Sequence, residues 1–216
     1  MKDDPAGTRL IAGVILAGGR ARRMGGGVKG LLTLGDRPIL GHVIDRLAPQ
    51  VDALAINANG DPARLKALGL PVLRDSMPDF PGPLAGVLAG LDWAAGIGAE
   101  QMISAAGDSP FFPHDLVPGL RLAANAVGAP LAMAMSPGST GSLDPHPTFG
   151  LWSVALRHDL RAALIAGTRR VTEWTARHGC ARAIFHDRGA PFFNINTPAD
   201  LTRAREMLAL SGNLAE

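Results

Sequence analysis

Cysteine is almost missing from this chain of 216 residues: Cys180 stands alone. That excludes an internal disulfide and a cysteine-based zinc site. A lone thiol fits a reducing compartment, and the expectation for it is a small buried apolar residue rather than a nucleophile. Excess charge is lacking too. Lys and Arg number 21 against 19 Asp and Glu, a net +2, too little for a surface dedicated to nucleic acid. No apolar run is long enough to cross a bilayer. The start, Met1-Lys2-Asp3-Asp4-Pro5, is polar with two acids, unlike a secretory leader. A cytoplasmic protein without a membrane segment is the expectation. Internal repeats and charged low-complexity tracts are absent.

What the chain does have is material for a core. Hydrophobic residues make up 47% of it, far from a disordered composition. Its length suits one domain over 1–216, with residues 1–8 and 209–216 as loose tails.

The most informative segment follows an apolar run at 10–17, which reads as a buried strand. Five glycines, three arginines and a lysine come next, through Gly18-Gly19-Arg20-Ala21-Arg22-Arg23-Met24-Gly25-Gly26-Gly27-Val28-Lys29. Glycine loses the most backbone freedom on ordering, so such a loop belongs where backbone must approach a ligand. Its N–H groups can converge on phosphate oxygens, and Arg20, Arg22, Arg23 and Lys29 match phosphate charge. It is not a Walker A loop, because Val28 and Gly30 flank the lysine, and its glycines do not fit the dinucleotide fingerprint.

Beyond the loop, helical and strand patterns alternate. Helices are expected over 38–47, 83–95, 113–127, 155–166 and 170–178. A short one follows Asp61-Pro62, and a last runs from Thr197-Pro198 to 207, with Thr197 as N-cap and Pro198 at the first helical position. Strands are expected over 51–58, 72–75, 102–106, 131–135, 149–154, 182–186 and 192–195, with a loop over 136–147. This alternation implies an α/β fold, Rossmann-like, with a mainly parallel sheet and helices on both faces.

Several polar residues fall at expected strand ends, where open α/β sheets bind ligands. Asp108, in Ala106-Gly107-Asp108-Ser109-Pro110, could begin a turn before Pro110. With a phosphate loop on another strand of the same sheet, the metal reading wins, since magnesium favours a carboxylate plus phosphate oxygens. Asp75 precedes a proline-stiffened loop leading to Pro83. Asn57 and Asn59 share one face of a strand end, though Asn59-Gly60 reads as a plain turn. His146 is held between Pro145 and Pro147 in a loop overhanging the sheet. Arg169 and Arg170 form either a solvated face or a phosphate grip. Asn194 and Asn196, in Asn194-Ile195-Asn196-Thr197-Pro198, could bond a polar heterocycle or complete a metal's shell through water. Asn196 could instead satisfy the helix start.

The string Leu16-Ala17-Gly18-Gly19, then Arg23-Met24-Gly25 and Lys29, resembles the signature of nucleotidyltransferases. It is most similar to the molybdenum cofactor guanylyltransferases, of nucleotide-diphospho-sugar transferase type, and the resemblance extends over nearly the whole chain. His146-Pro147-Thr148 and the Asn-x-Asn-Thr-Pro string strengthen it. The resemblance implies transfer of GMP from GTP to molybdenum-bound molybdopterin, with pyrophosphate released. It assigns nucleotide binding to Leu16, Ala17, Gly18, Gly19, Lys29, Asn57, Asp75 and Asp108, and catalysis to Lys29, Arg23 and Asp108. Magnesium falls on Asp108, and His146, Arg169, Arg170, Asn194 and Asn196 face the pterin. Carboxylates suit guanine, whose N1–H and amino group are donors. Related cytidylyltransferases generally carry Ala where Gly18 stands, so GTP is expected over CTP. Transient contact with cofactor-insertion chaperones or molybdoenzymes would follow. One departure is Val28, where the family usually has Asp. A cytidylyltransferase, a sugar-phosphate nucleotidyltransferase, or a carrier that binds nucleotide without turnover remain alternatives.

Overall fold

The apolar run ahead of the glycine loop folds as strand β1 (Ile11–Leu16), buried over its first five residues. In a computed structural model, residues 10–18, 29–77, 82–138, 141–186 and 190–212 are described. Gly19, Arg20, Arg22, Arg23 and Val28 lie outside the described residues, as does the expected tail 1–8.

β1 is central because both its flanks are paired. Parallel ladders join it to β4 (Ala53–Asn57) and to β6 (Gln101–Ala106). A strand covered on both faces and both edges reads as a continuous apolar run, which is what its sequence shows. β5 (Val72–Leu73) lies parallel outside β4. Beyond β6 come β8 (Leu143–Ser153), β7 (Leu131–Pro137) and β9 (Cys180–Ile184), giving the order β5-β4-β1-β6-β8-β7-β9. β8 is antiparallel to both its neighbours; β7 and β9 are parallel. The sheet is therefore mainly parallel, as expected, with one reversed strand.

Alternation along β1 divides the core. Ile11 and Ile15 face one layer with α1 (Ile39–Leu47) and α3 (Leu116–Val127). Ala12 and Val14 face the other, with α2 (Pro83–Gly96), α4 (Arg157–Ile165) and α5 (Val171–His178). Helices thus cover both faces. A third, small cluster joins the hairpin β2 (Thr33–Leu34) and β3 (Arg37–Pro38) to α6 (Pro198–Gly212) through Leu34, Ile39, Ile195 and Ala204. Helix α2 is apolar nearly all round and correspondingly buried, as its composition suggested.

Three expectations change. The loop foreseen over 136–147 is largely strand: β7 runs on to Pro137 and β8 begins at Leu143. Prolines survive there because β6 pairs only with Gly150–Ser153 of β8, so the proline-bearing half extends past it, and the register breaks between Met133 and Ala134. Residues 192–195 form no strand; Ile195 N–H instead donates to Asp108 O at 2.9 Å. Helix α6 continues to Gly212 rather than 207, since Leu208, Ala209 and Leu210 are good helix formers. Residues 209–212 of the expected tail are therefore helical.

Candidate active site

The chain passes from β1 out to β4 and β5, then returns to β6 on the other side of β1. The crevice at such a reversal, outside the strands' carboxyl ends, is where open α/β sheets bind ligands. Leu16 pairs with Asn57 on one side and Ala106 on the other. Ala17 N–H donates to Asn57 O at 2.8 Å and Gly107 N–H to Leu16 O at 3.0 Å. The tip of β1 is thereby held between two polar groups, one on each neighbouring strand.

On the β4 side, Asn57 is buried, and its Nδ2 donates to Asp75 Oδ1 at 2.8 Å and to Leu73 O at 3.3 Å. Asn59 Nδ2 donates to Asp75 Oδ2 at 2.5 Å, and Asp75 N–H donates to Asn59 Oδ1 at 2.9 Å. The backbone does bend at Asn59-Gly60, and the Asn59 side chain in addition spends both polar atoms on Asp75. Helix α2 approaches closely from behind. A Cβ on Gly86 would stand 2.3 Å from Asn57 Oδ1, so only glycine leaves that amide where it is. In front, a Cβ on Gly18 would meet Asn57 Oδ1 and Asn59 Nδ2 at an ordinary 3.9 Å. No contact among the described residues requires glycine at 18.

On the β6 side, Lys29 Nζ donates to Asp108 Oδ2 at 2.6 Å and to Asn196 Oδ1 at 2.5 Å. The lysine side chain is 11% exposed and the aspartate 30%. A pair this shielded feels stronger attraction than one in open water, yet its aspartate still reaches the surface. Buried Ser109 Oγ lies 3.3 Å from Asp108 Oδ1 and hydrogen-bonds Asn194 Oδ1. Helix α6 begins with a reciprocal cap. Thr197 Oγ1 accepts from Asp200 N–H, and the Asp200 carboxylate accepts from the N–H groups of Asn196 and Thr197. Those bonds, the one from Asn196 foremost, hold the Asp200 carboxyl below its ordinary value. Because the cap is complete without the Asn196 side chain, that amide is left for Lys29.

The remaining expected residues lie further out. His146 sits in β8 opposite Ala134 rather than in an overhanging loop. Its Nε2 and Ser136 Oγ are hydrogen-bonded at 2.7 Å, and its ring stacks on Phe192 with centroids 4.1 Å apart. Burial lowers its pKa, with Asp144 opposing. Arg169 donates to Leu164 O and Thr168 O beyond the end of α4, while Arg170 is exposed at the start of α5. Arg169 O lies 3.9 Å from where a Cβ on Gly82 would stand, so this loop borders the start of α2. No described contact joins His146 or the two arginines to the Lys29–Asp108 pair. The Cys180 thiol is pushed up to about 11, mainly by burial, which keeps it from acting as a thiolate.

Lys29, Asp108, Asn194 and Asn196 therefore meet on one side of the β1 tip, and Asn57 and Asp75 on the other. Ser109 and Gly86 were not singled out from the sequence, and Asn59 reads there as a turn residue. The signal for Asn59 was its two-residue spacing from Asn57. For Ser109 it was a hydroxyl between Asp108 and Pro110, and for Gly86 a glycine within an otherwise apolar helix.

Comparisons with known proteins bear on the fold and the family. A sequence model of the MobA-like NTP transferase domain matches residues 13–182. A molybdenum cofactor guanylyltransferase of Cereibacter sphaeroides is 54% identical, over 92% of this chain and 97% of its own length. One from Bradyrhizobium sp. (strain ORS 278) is 50% identical, over 94% and 95%. Among solved structures, molybdopterin-guanine dinucleotide biosynthesis protein A from Archaeoglobus fulgidus superposes with a TM-score of 0.70 at 22% identity, covering 93% of this chain and 99% of that one; this likeness establishes the fold. With half its residues shared across nearly its full length, the chain belongs to the molybdenum cofactor guanylyltransferase family and carries a MobA-like NTP transferase domain.

Proposed function

We propose that this chain is a nucleotidyltransferase that moves GMP from GTP to molybdenum-bound molybdopterin. Pyrophosphate is released and the guanine dinucleotide cofactor is formed. The observation that carries the reading is the meeting of Lys29, Asp108 and Asn196 across the Ala17–Gly18 backbone from a carboxylate held by two amides.

The base lies on the Asn57–Asp75 side and the phosphates on the Lys29–Asp108 side. The Ala17–Gly18 backbone runs between them, and the loop from Ala17 to Gly19 is assigned to nucleotide binding. Asp75 accepts from guanine N1–H and its amino group. The absence of a Cβ at Gly18, which no contact among the described residues demands, leaves clearance for the purine. Lys29, joined by Arg23, exchanges its carboxylate and amide partners for phosphate oxygens. The pterin's terminal phosphate oxygen attacks the α-phosphorus in line, the bond to the β-phosphate breaks, and pyrophosphate leaves with the electron pair. Catalysis is then positioning and charge neutralisation, and no covalent enzyme intermediate is required. His146, Arg169, Arg170, Asn194 and Asn196 are assigned to the second substrate.

The residues present fit magnesium. Asp108 supplies a hard carboxylate, with the oxygens of Ser109, Asn194 and Asn196 close by. No group of three or more His, Cys, Asp or Glu side chains among the described residues could hold a metal ion. Substrate phosphates and water would therefore complete the shell, a habit of this ion. When bound there, it supplies a Lewis acid for phosphoryl oxygens. No helix of the described residues is long and apolar enough to cross a membrane. We assign the protein to the cytoplasm, where it would hand its product to insertion chaperones or molybdoenzymes.

Pyrophosphate release tests the reading, measured with GTP or CTP, magnesium and molybdenum-loaded molybdopterin. Release is expected with GTP, only in the presence of the pterin, and much less with CTP. Equal release from both nucleotides overturns the base assignment. GTP binding without release under these conditions makes the chain a carrier, the alternative raised by Val28.

A further inference from the structure

The Asn57–Asn59–Asp75 group contains more hydrogen bonding than is needed to anchor a loop. Asp75 has two carboxylate oxygens with about four acceptor sites between them. Asn57 Nδ2 takes one site on Oδ1, and Asn59 Nδ2 takes one on Oδ2. One bond alone would leave the carboxylate free to swing, since the terminal torsion of an aspartate has a broad, shallow preference. Bonds at both oxygens fix its plane. Asn59 Oδ1 also accepts from Asp75 N–H at 2.9 Å, so the same side chain fixes the backbone from which that carboxylate springs. Among the described residues each oxygen takes one side-chain donor, which leaves acceptor capacity on both for a ligand. Asn57 is buried and Asn59 exposed, and both amides stand beneath Gly18.

We propose that Asn59 is a positioning residue for base selection: it locks the Asp75 carboxylate in the plane that accepts two parallel donors at once. The inference rests on the proposal that Asp75 reads guanine and names the device that makes it do so. Two parallel donors are what guanine presents through N1–H and its exocyclic amine. Hypoxanthine keeps N1–H and lacks the amine. A locked carboxylate therefore separates GTP from ITP by one full hydrogen bond to a charged acceptor. A carboxylate that can rotate finds N1–H in either case and loses most of that distinction.

The test is steady-state pyrophosphate release with GTP and with ITP, for the wild-type protein, Asn59→Ala, Asn59→Asp and Asp75→Ala. Asn59→Ala should lower kcat/KM for GTP roughly tenfold, the scale of one charged hydrogen bond. The loss should fall on KM, while ITP is little affected. Asn59→Asp keeps an acceptor for Asp75 N–H but removes the donor to Oδ2, so it should lose the GTP preference as well. If Asn59→Asp retains wild-type preference, or Asn59→Ala slows GTP and ITP alike, Asn59 merely anchors the loop and the inference is overturned. In that case loss of preference in Asp75→Ala shows that the guanine reading survives. If the wild-type protein shows no preference between the two nucleotides, or Asp75→Ala keeps the wild-type preference, the reading and the inference fall together.

Discussion

The two polar groups flanking β1 are built in opposite ways. On the β4 side, a single carboxylate is held by two neutral amides, all from residues within 18 positions of one another. Its bonds lie against the sheet and the close face of α2. On the β6 side, a charged lysine bridges a carboxylate and an amide that are 79 and 167 positions away in sequence. The first group is fixed by local geometry. The second is assembled by the tertiary fold, and its central charge can trade partners. A fixed acceptor suits recognition of a base. An exchangeable cation suits a phosphate chain whose charge is redistributed as bonds form and break. The difference separates binding from chemistry: damage on the β4 side should raise KM, and damage on the β6 side should lower kcat.

The sharpest way to break that division is Asp108→Ala. The substitution removes the carboxylate that Lys29 bonds and leaves Lys29 bonded to Asn196. Pyrophosphate release at saturating GTP should fall by about 100-fold or more, the scale of losing one aligned electrostatic group. GTP affinity, followed by titration calorimetry, should change far less. A variant with normal kcat and a raised KM would show that the two sides do not divide the work.

Gly86→Ala sharpens the comparison from the other side. The new methyl would lie 2.3 Å from Asn57 Oδ1, and Leu16 Cδ2 at 3.1 Å closes the alternative direction. The Asn57 amide must move, and Asp75 loses one of its two side-chain donors. We expect KM for GTP to rise about tenfold with kcat nearly unchanged, and stability to fall by about 1–3 kcal/mol, as for overpacking in a buried contact. Thermal unfolding and kinetics on the same preparation check both.

Much of this was legible in the sequence, for a physical reason. Side chains near the ends of buried parallel strands face the ligand crevice, so strand patterns place Asn57, Asp75 and Asp108 there, while the roles of Asn57 and Asp75 come from the resemblance. Lys29 followed from its distance along the glycine loop. What was not legible depends on approach between distant segments. Asn59-Gly60 looks like any turn until Asp75 is seen across from it. Ser109 gains meaning only when the segment carrying Asn194 folds back onto the β6 tip. The direction of β8 was not legible: the expected loop over 136–147 is long enough for a crossover, and only the observed bounds, β7 to Pro137 and β8 from Leu143, force an antiparallel pair. The Ser-, Gly- and Pro-rich composition pointed to a loop instead, because it does not reveal that half of β8 extends past its β6 partner.

The smallest expected effect lies away from both groups, where the comparison predicts none on base or phosphate handling. Asp159 Oδ1 accepts from Trp174 Nε1 at 2.8 Å and lies 2.7 Å from His178 Nε2, tying α4 to α5 around the loop that carries Arg169 and Arg170. The indole bond is the main cause that holds the Asp159 carboxyl below its ordinary 3.8. A carboxyl whose pKa is depressed in the folded state adds stability above the unfolded value and loses it as pH falls through the folded one. The advantage of the wild-type protein over Asp159→Asn should therefore fade as pH falls below 3.8, measured as the difference in melting temperature across a pH series. The advantage itself should be small, since the Asp159 side chain is 52% exposed and surface pairs contribute little. Kinetics at neutral pH should leave KM for GTP unchanged in this variant. A rise in KM for the pterin alone would tie the Arg169–Arg170 loop to the second substrate. A rise in KM for GTP would mean that base recognition extends well beyond the Asn57–Asp75 group.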